Sequence, residues 1–178
     1  ALDISGTNDG ALQNGATYAD GMVGQAFSFD GADDYVYIGN PASLNGFSAL
    51  TLDTWIYMHN PADHHQAIIA KNGVALNDYA LIYDKDIGIR FTINVNQGGT
   101  EVYGGTLAAN TWYHIAGTWD GANLRIYVNG AQVGSAVPFS GTLCVNEILS
   151  LGRLGSYDGF YFDGLIDEVR ILPCALPP

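Results

Sequence analysis

Apolar and polar residues alternate with a period of two in segment after segment of this chain, a pattern that suits half-buried strands and not amphipathic helices. In RFTINV, Phe91, Ile93 and Val95 share one face while Arg90, Thr92 and Asn94 share the other. LTLDTWIYM sets Leu50, Leu52, Ile56 and Met58 against Asp53, Trp55 and Tyr57, and LRIYV repeats the pattern with Leu124, Ile126 and Val128. Between such runs stand Asn14-Gly15, Asp20-Gly21, Asn72-Gly73, Asp120-Gly121, Asn129-Gly130 and Asp158-Gly159. These pairs tolerate the positive φ angles of tight hairpins. Strands therefore succeed one another mostly as antiparallel neighbours, and TWDGANLRIYVNGAQVG is a meander bending at Asp120-Gly121 and Asn129-Gly130.

Composition agrees, because 23 glycines, 11 tyrosines and 13% charged residues suit short strands and turns better than helices. About a dozen strands with one apolar face each bury those faces by stacking into two sheets. The expectation is all-β: a two-sheet antiparallel β-sandwich of jelly-roll type, as a single domain over residues 1–178. The closing CALPP cannot continue a ladder and suits a surface exit toward another module.

Six basic residues against eighteen acidic ones give a formal charge of -12, and the basic residues are scattered singly. Nucleic acid, anionic membrane and other polyanions are poor partners for such a surface; neutral ligands and cations fit better. No apolar run approaches the roughly 20 residues that cross a bilayer. No leader precedes Ala1, so the expectation is a mature or excised segment of a larger secreted protein. Cys144 and Cys174 either form a disulfide in an oxidising compartment or remain two small thiols; spacing does not decide.

FDGADDYVYIG puts Asp30, Asp33 and Asp34 into one short gap between apolar segments. Like charges at one bend repel, so either water screens them or a cation makes the arrangement favourable. The residues alone leave both readings open.

Taken in order, FDGADDYVYIG, LTLDTWIY, NTWYHIAGTWDGANLRIYVNG and FDGLIDEVRI resemble the laminin-G-like jelly-roll domains of the concanavalin A-like lectin/glucanase superfamily, over nearly the whole chain. The resemblance implies a lectin-like carbohydrate-binding module with one structural calcium ion (Ca2+). Asp30 and Asp167 would be its carboxylate ligands, with carbonyls from Gly31 and Asp34. It implies attachment to a secreted, extracellular glycan-active protein and a polysaccharide or oligosaccharide partner, expected to be neutral. The alternatives are a protein-binding or adhesive module of the same fold, or a small glycoside hydrolase or polysaccharide lyase.

Catalysis finds little support in the residues. Retaining glycoside hydrolysis needs two carboxyls about 5–5.5 Å apart, yet Glu101, Glu147 and Glu168 form no Glu-x-Asp-x-Glu run. On a regular strand, adjacent Asp167 and Glu168 point to opposite faces. In HNPADHHQ, His59, His64 and His65 lack a second ligand cluster of the kind zinc requires, and the lyase motifs are absent.

A sugar site pairs aromatic platforms with short polar groups. Outward strand positions offer Trp55, Tyr57, Arg90, Asn94, Arg125 and Tyr127, whereas Trp112 and Trp119 read as core or edge packing. Because rigid sandwiches present loops for binding, the expected carbohydrate site is His64, Tyr83, Arg90 and Tyr157.

Overall fold

The computed structural model describes residues 1–4, 6–72, 77–95, 98–141, 143, 147–155 and 159–177. Among them, strands β1 (Ala11–Gln13), β2 (Thr17–Asp20), β3 (Gln25–Asp30), β4 (Tyr35–Gly39) and β5 (Leu50–Met58) lead into β6 (Gln66–Asn72), β7 (Asn77–Asp84), β8 (Gly88–Val95) and β9 (Gly98–Gly104). They continue as β10 (Trp112–Trp119), β11 (Asn123–Val128), β12 (Ala131–Pro138), β13 (Leu149–Leu151) and β14 (Asp163–Leu172). One turn of 3-10 helix, Ala42–Leu44, precedes β5.

The strands form two seven-stranded sheets, ordered β1-β4-β13-β6-β7-β8-β9 and β12-β11-β10-β5-β14-β3-β2, and every pairing is antiparallel. The expected sandwich is thus what forms. No helix among the described residues is long and apolar enough to cross a membrane.

The core lies where alternation places it. Leu50, Leu52, Ile56 and Met58 of β5 point inward against Ile89, Phe91 and Ile93 of β8, all essentially without solvent exposure. Gly117 of β10 lets the Phe91 ring of the facing layer come close, since a Cβ there would lie 2.5 Å from Cγ of Phe91. Trp119 is fully buried and its indole N–H donates to the Phe139 carbonyl at 3.1 Å.

Two departures from regular alternation matter for the surface. In β14 the pairing with β5 steps from Asp167↔Trp55 to Arg170↔Asp53, one residue more on β14 than on β5. Glu168 absorbs that residue as a bulge at φ 50°, so Asp167 and Arg170 both stay on the outer face. In β6, Lys71 continues the inward parity of Ile69 and is fully buried with Asp78, Nζ to Oδ2 3.2 Å.

At the β10–β11 turn, the Arg125 guanidinium donates to Asp120 at 2.7 Å, and the N–H groups of Ala122 and Asn123 donate to the same carboxylate. The Arg125 bond above all, then the Ala122 N–H, holds the Asp120 carboxyl down at about 2. A depressed folded-state value favours the native turn above the ordinary carboxylate pKa of about 3.9, and that contribution fades as pH falls through about 2. An NMR titration should find the Asp120 carboxyl still ionised at pH 3, and Arg125→Ala should move its midpoint up toward the ordinary range.

Candidate functional site

The acidic hairpin between β3 and β4 is held by its own backbone. Asp34 is buried and accepts the Gly15 N–H at 2.6 Å and the Asp30 N–H at 3.1 Å, while Asp30 accepts the Ala32 N–H at 2.9 Å. The carbonyl of Asp33 receives the Asn14 amide at 2.7 Å. Much of the Asp34 charge is therefore engaged in stapling the β1–β2 turn to the hairpin, an outcome the bare sequence left unresolved.

Even so, ligand oxygens of Asp30, Asp33 and Asp34 lie within 4.8 Å of one another, a set of hard oxygen donors of the kind calcium takes. Asp167 does not join them. The β3–β14 register sets Asp163 opposite Asp30, and Asp167 stands four residues farther along β14, about 13 Å at strand spacing. The expected pairing of Asp30 with Asp167 is corrected accordingly. Asp167 instead accepts the N–H groups of Val23 at 2.9 Å and Glu168 at 2.8 Å, tying the β2–β3 turn to the bulge. Gly31 sits at φ 79°, where a Cβ would press to 2.9 Å from Asp163 Cβ.

The structure takes Tyr83 out of the expected loop-borne sugar site. Tyr83 shares inward parity with Tyr79 and Leu81, lies in the core, and its hydroxyl accepts the Leu107 N–H at 3.4 Å. A ring packed on both faces cannot stack on a sugar. His64 is half-buried with Nε2 2.8 Å from the Tyr161 carbonyl, and Tyr157 lies outside the described residues, as does Cys144. Arg90 does face outward on β8, with Nη1 3.4 Å from Glu101 of β9.

His65 meets a partner cluster that its neighbours in the sequence do not reveal. Its Nδ1 lies 3.3 Å from Asp84, and ligand atoms of His65, Asp84 and Asp86 fall within 4.8 Å of one another. The Lys85 ammonium, 2.8 Å from Asp86, already supplies a cation there.

The most developed surface is the outer face of the second sheet. Trp55 and Tyr57 of β5 stand directly opposite His114 and Trp112 of β10. Their rings meet with centroids 5.2 Å apart for Trp55–His114 and 5.5 Å for Tyr57–Trp112, and Tyr57 continues edge-on to His59 at 5.7 Å. The first four are half-buried and His59 is exposed. The reading of Trp112 as core or edge packing is thereby corrected: counting back in twos from inward Trp119 puts Trp112 on the outer face.

Polar groups border this band at fixed positions. The buried Asp53 carboxylate holds His114 Nε2 at 2.9 Å and Arg170 at 2.6 Å. At the other end His59 Nδ1 lies 2.8 Å from Asp163, whose own N–H donates to the Gln66 side-chain carbonyl at 2.9 Å. Flat rings on rigid strands, edged by oriented donors and acceptors, offer apolar faces to C–H surfaces and hydrogen bonds to hydroxyls.

A family model described as concanavalin A-like lectin/glucanases superfamily matches residues 30–178. Among solved structures, domain 4 of AbnA, a GH43 extracellular arabinanase from Geobacillus stearothermophilus, in complex with arabinotriose, aligns with TM-score 0.77 at 19% identity over 94% of this chain and 84% of that one. The binding domain of Paraclostridial Mosquitocidal Protein 1 aligns with TM-score 0.80 at 14% identity over 98% of this chain and 46% of that one. The binding domain of Botulinum Neurotoxin DC, in complex with SialylT, aligns with TM-score 0.69 at 14% identity over 99% and 46%. The chain thus spans just under half the length of the two toxin domains. A search of curated proteins by sequence finds no match.

Proposed function

Because the chain belongs to the concanavalin A-like lectin/glucanase superfamily, we propose that it is a non-catalytic carbohydrate-binding module that grips a neutral polysaccharide on the aromatic band of Trp55, Tyr57 and Trp112. The band itself carries this reading: two tryptophans and a tyrosine face solvent on strands whose opposite faces already fill the core. The formal charge of -12 and the flanking Asp53 and Asp163 favour a neutral chain over an anionic one. A domain of an extracellular arabinanase with arabinotriose bound has the same fold, which supports carriage by a secreted glycan-active protein.

A binding rather than hydrolytic role is favoured by how the outer-face carboxylates are engaged. Asp53 is paired with Arg170 and Glu101 with Arg90, while Asp163 lies 2.8 Å from a ring nitrogen of His59. A general acid needs the opposite environment, a desolvated carboxyl without a cation beside it. The adhesive alternative would use the same band against an apolar protein patch; its oriented Asp–His–Arg border suits hydroxyls better.

Affinity electrophoresis through gels cast with neutral polysaccharides tests the placement. Trp55→Ala and Trp112→Ala should each weaken retention by about 5–30-fold, the equivalent of ~1–2 kcal/mol per lost ring contact. Full retention in both variants would remove the band from consideration.

The calcium ion belongs to the same proposal, with Asp30, Asp33 and Asp34 as its carboxylates. Binding confined to the folded state adds about 2.7 kcal/mol at 100 times Kd, worth roughly 5–10 °C in Tm for a domain of this size. Melting in millimolar calcium should exceed melting in chelator by that amount, and Asp33→Asn should shrink the difference. Superimposable melts would dismiss the ion.

A further inference from the structure

On the side of the sandwich opposite the aromatic band, β8 and β9 form a groove of 260 Å³ lined by Arg90, Thr92, Asn94, Gly99, Thr100 and Glu101. Its floor is rigid because the alternate residues of the same strands, Phe91, Ile93 and Val102, are in the core. Gly99 makes the space: any Cβ there would overlap the Asn94 side-chain amide.

The polar groups of the groove are only partly satisfied. The Arg90–Glu101 contact is long, 3.4 Å, and the Arg90 Nε is buried with no acceptor among the described residues. Tyr103 stands opposite Arg90 in the β8–β9 register and is 50% exposed, and residues paired in this way share a face of the sheet.

An exposed ring, a guanidinium, a carboxylate, an amide and a threonine hydroxyl match the surface of a pyranose or furanose unit. The ring takes the C–H face, Glu101 accepts from hydroxyls, and Arg90 donates to a hydroxyl oxygen. Arg90 and Glu101 together add no net charge to the groove, so the formal charge of -12 leaves neutral sugars favoured over uronates and phosphates.

We propose that this groove is a second glycan site, so that the module carries two sugar-binding faces directed away from each other and bridges separate chains of one neutral polysaccharide. The proposal rests on the carbohydrate-binding reading above. Two sites on opposite faces of one rigid body cannot both lie against a single straight strand, so a long glycan is crosslinked instead of being held twice.

The experiment is calorimetric titration with arabinohexaose, xylohexaose, cellohexaose and mannohexaose, then turbidimetry with the polysaccharide of whichever binds. Wild-type protein should take up two oligosaccharides per chain and cloud the polymer solution. Tyr103→Ala and Glu101→Gln should each leave one site and abolish the turbidity while polymer retention persists, and Trp55→Ala with Trp112→Ala should leave the other site. Thermal melts check that each surface variant is folded. One site per chain, lost in the tryptophan variant and untouched by the groove variants, would overturn the second site and leave the carbohydrate reading standing. One site confined to the groove would overturn the two-faced module and move the sugar off the band. No uptake of any hexaose and no retention by any of the four polymers would overturn both readings.

Discussion

Lys71→Met is expected to lower the unfolding free energy by about 3–5 kcal/mol, the cost of breaking a buried ion pair from one side. Both side chains, Lys71 and Asp78, have no solvent exposure. Lys71 lies inward beside Ile69, opposite Tyr79 of β7, whose hydroxyl donates to the Leu44 carbonyl at 3.2 Å. Burial, and then the charge of Asp78, pushes the Tyr79 phenol well above its ordinary range, as expected of a site with little water. At ~2–4 °C per kcal/mol for a domain of this size, Tm should fall by roughly 6–20 °C. The double replacement Lys71→Met with Asp78→Leu should recover much of the loss, because it removes both desolvated charges. Urea denaturation of the four proteins measures the coupling, and a neutral Lys71→Met would show that water reaches the pair.

Gly164→Ala should be at least as damaging, by about 3 kcal/mol or more. Gly164 sits in β14 at φ 145°, and an added Cβ would overlap the Tyr57 carbonyl oxygen and press to 3.1 Å from Met58 Cα. These are backbone atoms of β5, the neighbouring strand in the middle of the second sheet, so relief requires parting β14 from the strand that carries Trp55 and Tyr57. Gly130→Ala is the control. It too has positive φ, 79°, but meets nothing within 4 Å, so its expected cost is the local one of about 1–2 kcal/mol. Equal denaturation midpoints for the two variants would refute the steric argument.

The strands were legible because period two records which face is buried. LTLDTWIYM divides in the structure as its alternation dictates, and RFTINV supplies Phe91 and Ile93 to the core and Arg90, Thr92 and Asn94 to the groove. The same rule, applied to NDYALIYD and to TWYHIAGTW, assigns Tyr83 inward and Trp112 outward; preferring loops over strand faces concealed both. Other features were not accessible to local pattern. Which acid of β14 meets Asp30 depends on register, and one bulge residue at Glu168 shifts the pairing of the rest of that strand. Lys71 looks like a surface residue until Asp78 is brought to it from across the β6–β7 pair. His65 gains Asp84 and Asp86 only because a hairpin turn twenty residues away folds beside it.

The strand orders carry a consequence for biosynthesis. β13 is inserted between β4 and β6, and β14 between β5 and β3, so each layer receives an interior member from residues beyond 148. A nascent polypeptide lacking those segments holds each layer as two disconnected fragments, with raw main-chain margins available to neighbours. Closure of both layers therefore waits for the segment ending at Leu172, and a shorter product has open edges prone to wrong pairing.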